Sequence, residues 1–144
     1  MEIFNAIKQD HDHQRALLSM LVDTSGDSKV REKYYHELKE ALEAHAIAEE
    51  RYFYSPLMDS DMTIEDSRHG MAEHHEIDEM IADLDNTQFS DPSWLAKMKQ
   101  LKEKVEHHLK DEEQAFFQRA GKVLDADEKD SLADGYQQEM ERQQ

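Results

Sequence analysis

Residues 98–116 read MKQLKEKVEHHLKDEEQAF. Met98, Leu101, Val105, His108, Glu112 and Phe116 recur every three or four residues, the period of one face of an α-helix. Four of these are apolar, so the face is turned to a core. His108 and Glu112 share it, although an unpartnered carboxylate in a core costs several kcal/mol. The stretch therefore predicts a core helix and, inside that core, something that satisfies polar groups.

The same pattern recurs on both sides of the next loops. Residues 3–22 form a first predicted helix with stripe Ile3, Ile7, His11, Leu18 and Leu21. Residues 23–28 are a turn that can cap a second helix over 29–54, with stripe Leu38, Leu42, His45, Glu49 and Tyr52. Ser55-Pro56 is read as its end, since the residue before proline is pushed out of the helical region. Thr63-Ile64-Glu65-Asp66 resembles a capping box, with Asp in the fourth place, for a third helix with stripe His74, Ile77, Ile81 and Leu84. Asp91-Pro92 starts the fourth as an N-cap with proline at the first helical position. Beyond Asp125 the chain is very polar, and Leu132, Tyr136 and Met140 make a thin stripe. The predicted fold is all-α: an up-down-up-down four-helix bundle over residues 1–122, then a polar tail or short, loosely docked fifth helix over 123–144.

Composition agrees. The chain has 144 residues, enough for one core, with only 4 Gly and 2 Pro among many helix formers. A net charge of −17 argues against nucleic acid and anionic membranes as partners, because both demand clustered Lys and Arg. There is no Cys, so disulfides, thiolate metal ligands and Cys nucleophiles are excluded. No apolar run approaches the ~20 residues of a membrane span, and the first residues lack a basic and then apolar leader. A cytoplasmic location is expected.

The polar intruders are His11, His45, Glu49, His74, His108 and Glu112. Loop spacings put the four histidines at nearly one depth of an up-and-down bundle, within a turn or so. Each His-x-x-x-Glu pair places its two side chains on one face about 6 Å apart. Nitrogen and oxygen donors without sulfur suit iron, manganese or zinc better than calcium or magnesium. Carboxylates can also bridge, so a two-metal centre is predicted. His13, His36, His69, His75 and His107 leave the stripes and are read as surface residues. The Glu-x-x-His pairs of ferritin-like oxidases do not fall on any stripe.

These residues resemble the hemerythrin-like proteins, in particular the bacterial domain named for its His-His-Glu cation-binding motif. The matching stretches are Asp10-His11, His45-Ala46-Ile47-Ala48-Glu49-Glu50, Glu73-His74-His75-Glu76-Ile77 and His108-Leu109-Lys110-Asp111-Glu112-Glu113, within residues 3–120. The resemblance implies an up-and-down bundle around an oxo- or hydroxo-bridged di-iron pair, with manganese or zinc as alternatives. By position, Glu49 and Glu112 would bridge, His11 and His45 would end one metal's coordination, and His74 and His108 the other's. It implies a small partner (dioxygen, nitric oxide or peroxide) bound or processed in sensing or stress defence; the alternative is iron sensing or buffering without turnover. Two departures stand out. Oxygen-carrying members have a further helix-3 histidine where this chain has Gly70, and they space the helix-4 pair His-x-x-x-x-Asp. Gly70 is thus expected to leave an open position for water, a ligand or another side chain, with Asp78 as candidate; Glu50 and Glu113 are further ligand candidates. An open position favours peroxide- or nitric-oxide-linked redox reactivity over simple carriage.

Overall fold

A computed structural model describes residues 1–143, which are helical throughout apart from short connections, with no strand among them. Helix α1 is Ile3–Val22; α2 covers residues 29–57; α3 is Ile64–Asp85; α4 covers 92–123; and α5 is Ala126–Gln143. Helices α1 to α4 form the bundle, with α1 against α2 and α4, and α3 against α4. Among the described residues no helix is long and apolar enough to cross a membrane.

Two helix starts follow their sequence signals. Ser28 Oγ accepts from the Arg31 N–H, and the Asp91 carboxylate accepts from the Ser93 N–H with Pro92 just inside the helix. The third does not. The Thr63 side chain makes no capping bond; its hydroxyl instead donates to the Leu57 carbonyl at 2.6 Å, and Ser67 donates to the Tyr54 carbonyl at 2.9 Å. These bonds satisfy carbonyls at the end of α2, a tertiary demand that outweighs the local cap.

Helix α2 also outruns its expected end. After Glu49 it widens into a π turn over Glu50–Tyr54, closed by the Ser55 N–H on the Glu50 carbonyl, and continues to Leu57. A second π turn, Glu112–Phe116, closes from the Phe117 N–H to the Glu112 carbonyl in α4. Each adds a residue to the turn and rotates the remainder of its helix by about 100°. The result is two adjacent buried pairs, Phe53-Tyr54 where Tyr52 was expected to face inward, and Phe116-Phe117 where Phe116 alone was expected. Helix α5 is the expected fifth helix, but it is neither short nor loosely docked. It spans 18 residues and docks on α1 and α2, burying Ala133, Tyr136 and Glu139.

The apolar core is split. One cluster gathers Leu18, Leu38, Ile81, Trp94 and Leu101 with their neighbours towards the α1–α2 and α3–α4 loops. The other holds Ile3, Ile7, Phe53, Tyr54, Phe116 and Tyr136. Between them lies a layer of polar side chains.

Candidate metal centre

All six sequence-predicted residues lie in that layer, each at most 7% exposed. His11, His45, Glu49 and Glu112 each offer one donor atom within 4.8 Å of the others', and Glu49, His74 and His108 do the same. Each carboxylate sits between histidines of the two groups. Glu49 Oε1 is 3.4 Å from His45 Nε2 and 3.0 Å from His74 Nε2. Glu112 Oε1 is 3.3 Å from His11 Nε2, and its Oε2 is 3.6 Å from His108 Nε2. The histidines read as surface residues, His13, His36, His69, His75 and His107, are all exposed.

The imidazoles are held from behind. His11 Nδ1 donates to Glu113 at 2.6 Å, and Glu113 is gripped in turn by Arg15. His108 Nδ1 donates to Glu73 at 2.8 Å. His45 Nδ1 donates to the Tyr136 hydroxyl at 2.5 Å, and Tyr136 donates onward to Asp10. His74 Nδ1 faces Glu50 at a longer 3.9 Å. Such outer partners fix tautomer and ring orientation, leaving Nε2 for the centre. Glu50 and Glu113 therefore lie behind histidines, and Asp78 is exposed, at the rim of a small cavity that His45, His74 and His108 also line.

Tyr54 is the site residue that sequence reading missed. Its hydroxyl donates to Glu112 Oε2 at 2.5 Å and lies 3.5 Å from Nε2 of both His74 and His108. A Cβ at residue 70 would come within 2.5 Å of its ring. The space left by Gly70 is thus filled by a phenol from α2, delivered by the first π turn.

Inward-facing atoms have too few partners. His11 Nε2, His45 Nε2, both Glu49 oxygens and Glu112 Oε1 are buried without a hydrogen bond, since the short N–O separations above lack hydrogen-bond geometry. Orphaned acceptors and imidazole nitrogens converging at such distances fit a cation. Protons act in its place electrostatically. Burial opposes charge on His45, but Glu49, Asp10 and Glu112 outweigh it and hold its pKa at about 10. His74, likewise desolvated, is raised to about 9 by Glu49 and Glu50. Glu49 is buried too, yet His45 and its other donors hold it well below the usual carboxylate range. Burial and the Glu49 charge push Glu112 up.

A helical bundle with buried imidazoles braced around two shared carboxylates defines a cation-binding bundle protein. The chain belongs to the hemerythrin HHE cation-binding domain family, which matches residues 2–120. Its fold is similar to the crystal structure of a hemerythrin HHE cation-binding domain-containing protein from Mycobacterium kansasii, with a TM-score of 0.88 at 21% identity over 99% of this chain and 87% of that one. No curated protein matches the chain significantly.

Proposed function

We propose that the protein holds two metal ions, iron by preference, and uses them to bind or process dioxygen, nitric oxide or peroxide. The observation that supports this is the set of orphaned inward atoms on His11, His45, Glu49 and Glu112, continued by Glu49 into His74 and His108. Glu49 and Glu112 would be the shared ligands, His11 and His45 would serve one ion, and His74 and His108 the other. Bound iron would supply redox chemistry and open coordination positions for a small ligand.

The protein's own residues do the rest. Glu113, Tyr136 and Glu73 orient imidazoles, and the two apolar clusters exclude bulk water from the layer. Burial and nearby carboxylates push the Tyr54 phenol well above its ordinary pKa, so it keeps its proton and donates it in a hydrogen bond to Glu112.

Anaerobic loading with ferrous iron followed by elemental analysis should give about two ions per chain, with near-ultraviolet and visible absorption after oxidation. Glu49→Ala and Glu112→Ala should each reduce the load, because each removes a ligand shared by both ions. A full load in the double variant overturns the assignment. Iron bound tightly, with no spectral response to azide, nitric oxide or peroxide, would favour iron buffering instead.

A further inference from the structure

Gln14 lies three residues after His11 on α1, a spacing that keeps both on one helix face. It is 1% exposed, and neither its Oε1 nor its Nε2 has a hydrogen-bond partner. Methionine would fill the same volume without leaving a buried amide unsatisfied. Gln14 therefore needs a reason that packing does not supply.

The space beside it supplies one. Gln14 lines a small cavity with His45, His74 and His108, walled by Leu42, Ile77, Val105 and Leu109 and rimmed at the α2–α3 surface by Ala46 and Asp78. Its free volume is about 10 Å³, room for about one water-sized molecule. Glu49 and Glu112 do not line it, so the cavity meets the polar layer on its histidine side, away from the shared carboxylates. Gln14 also lines a surface cleft of about 450 Å³ with Asp10, Glu37, Ala41 and Met140, between α1, α2 and α5. The same side chain thus borders both the cleft and the small cavity.

We propose that Gln14 receives a small neutral donor-and-acceptor group, a water molecule or one end of a metal-bound ligand such as hydrogen peroxide, in the cavity against His45, His74 and His108. An amide offers one acceptor and two donor hydrogens without charge. It can therefore hold such a group in a space where an apolar side chain offers no bond. This rests on the two-metal reading for the metal-bound ligand, but the contact of Gln14 with water exists with or without metal.

Two measurements separate the ideas. In metal-free protein, the side-chain NH2 protons of Gln14 should show an Overhauser cross-peak to a long-lived water, and Gln14→Met should lose that amide signal. In ferric protein, Gln14→Met should keep the wild-type iron content but bind the probe azide about five- to tenfold more weakly, the loss of one hydrogen bond. Gln14→Glu, which adds negative charge beside an anion, should weaken azide further. Equal azide affinity in wild type and Gln14→Met at equal iron content overturns the proposal. If the wild type takes up no metal, the two-metal reading has failed, and the water contact alone decides: its absence overturns the role of Gln14, and its presence supports it.

Discussion

Gly70 stands inside α3, one turn before His74, at a place where glycine costs about 1 kcal/mol relative to alanine. That cost marks the position as special from sequence alone. What occupies the freed space is not legible there, because Tyr54 is far away in the chain and turned inward by a π turn that no apolar period announces. The Tyr54 ring lies where a side chain at 70 would be, so Gly70→Ala is expected to destabilise the protein by about 1–3 kcal/mol through overpacking, against its better helix propensity. In a Tyr54→Leu background, which removes the ring, the same substitution should become neutral or stabilising. Urea melts of the four proteins complete the cycle. Additive effects would mean that residues 54 and 70 do not compete for one space. Glu73 was visible in the family motif, but its role behind His108 depends on the packing of α3 on α4.

Helices α1 to α4 were legible because their stripes are long and regular, and the four histidines interrupt them at one depth. Helix α5 was underestimated because its buried face is thin: Ala133 and Gly135 present little apolar surface, and only Tyr136 is large among the fully buried side chains. Gly135 lies where a Cβ would collide with the Tyr52 ring, so the helix docks by close approach rather than by a broad apolar stripe. What α5 brings is polar. Tyr136 is 1% exposed, accepts from His45 and donates to Asp10. Tyr136→Phe keeps the ring and removes the acceptor from His45, leaving Asp10, 3.7 Å from Nδ1 and partly exposed, as its nearest replacement. It is expected to cost about 1–3 kcal/mol of stability and about 10–100-fold in metal affinity. Thermal melting and competitive chelator titration read the two effects separately, and unchanged metal affinity would confine α5 to a packing role. A second clamp lies near the opposite end. The Arg31 guanidinium donates to the Phe89 carbonyl at 2.6 Å and the Thr24 carbonyl at 2.7 Å, and stacks 4.4 Å from the Trp94 ring. It ties the α1–α2 loop to the α3–α4 loop. Arg31→Met should lower the urea midpoint by the equivalent of about 2–3 kcal/mol, because the two carbonyls lose charge-assisted bonds.

At the scale of the whole molecule, a polar layer between two apolar clusters must be neutralised by something, and pH decides whether protons or metal do it. Metal ligation needs neutral imidazoles, which for ordinary histidines would place the competition near pH 6.5. Here the buried carboxylates move it upward, to about 10 for His45 and about 9 for His74. In metal-free protein, folded and unfolded chains both hold these protons below pH 6.5, and the stabilisation they give is fully present. As pH rises, the unfolded chain releases its protons first, so the contribution declines from about pH 6.5 and is gone above the folded pKa values. Glu49 acts in the opposite direction: its depressed pKa contributes stability above the ordinary carboxylate range, and that contribution is lost as pH falls through the folded value. The metal-free bundle should therefore melt at a lower temperature at pH 9 than at pH 6.5. The loaded bundle should not track it, because its imidazoles are already neutral, and the gap in Tm between the two forms should widen over that interval. Loading at pH 7.5 in weak buffer should release protons, those of His45 and His74 first, with His11 and Glu112, both also raised, adding to the count. Calorimetric melts with and without chelator at pH 6.5, 7.5 and 9, together with the proton count, test this directly. A metal-free Tm that stays flat or rises across that range, with no proton release on loading, would mean that the layer is not held together by imidazolium–carboxylate pairs.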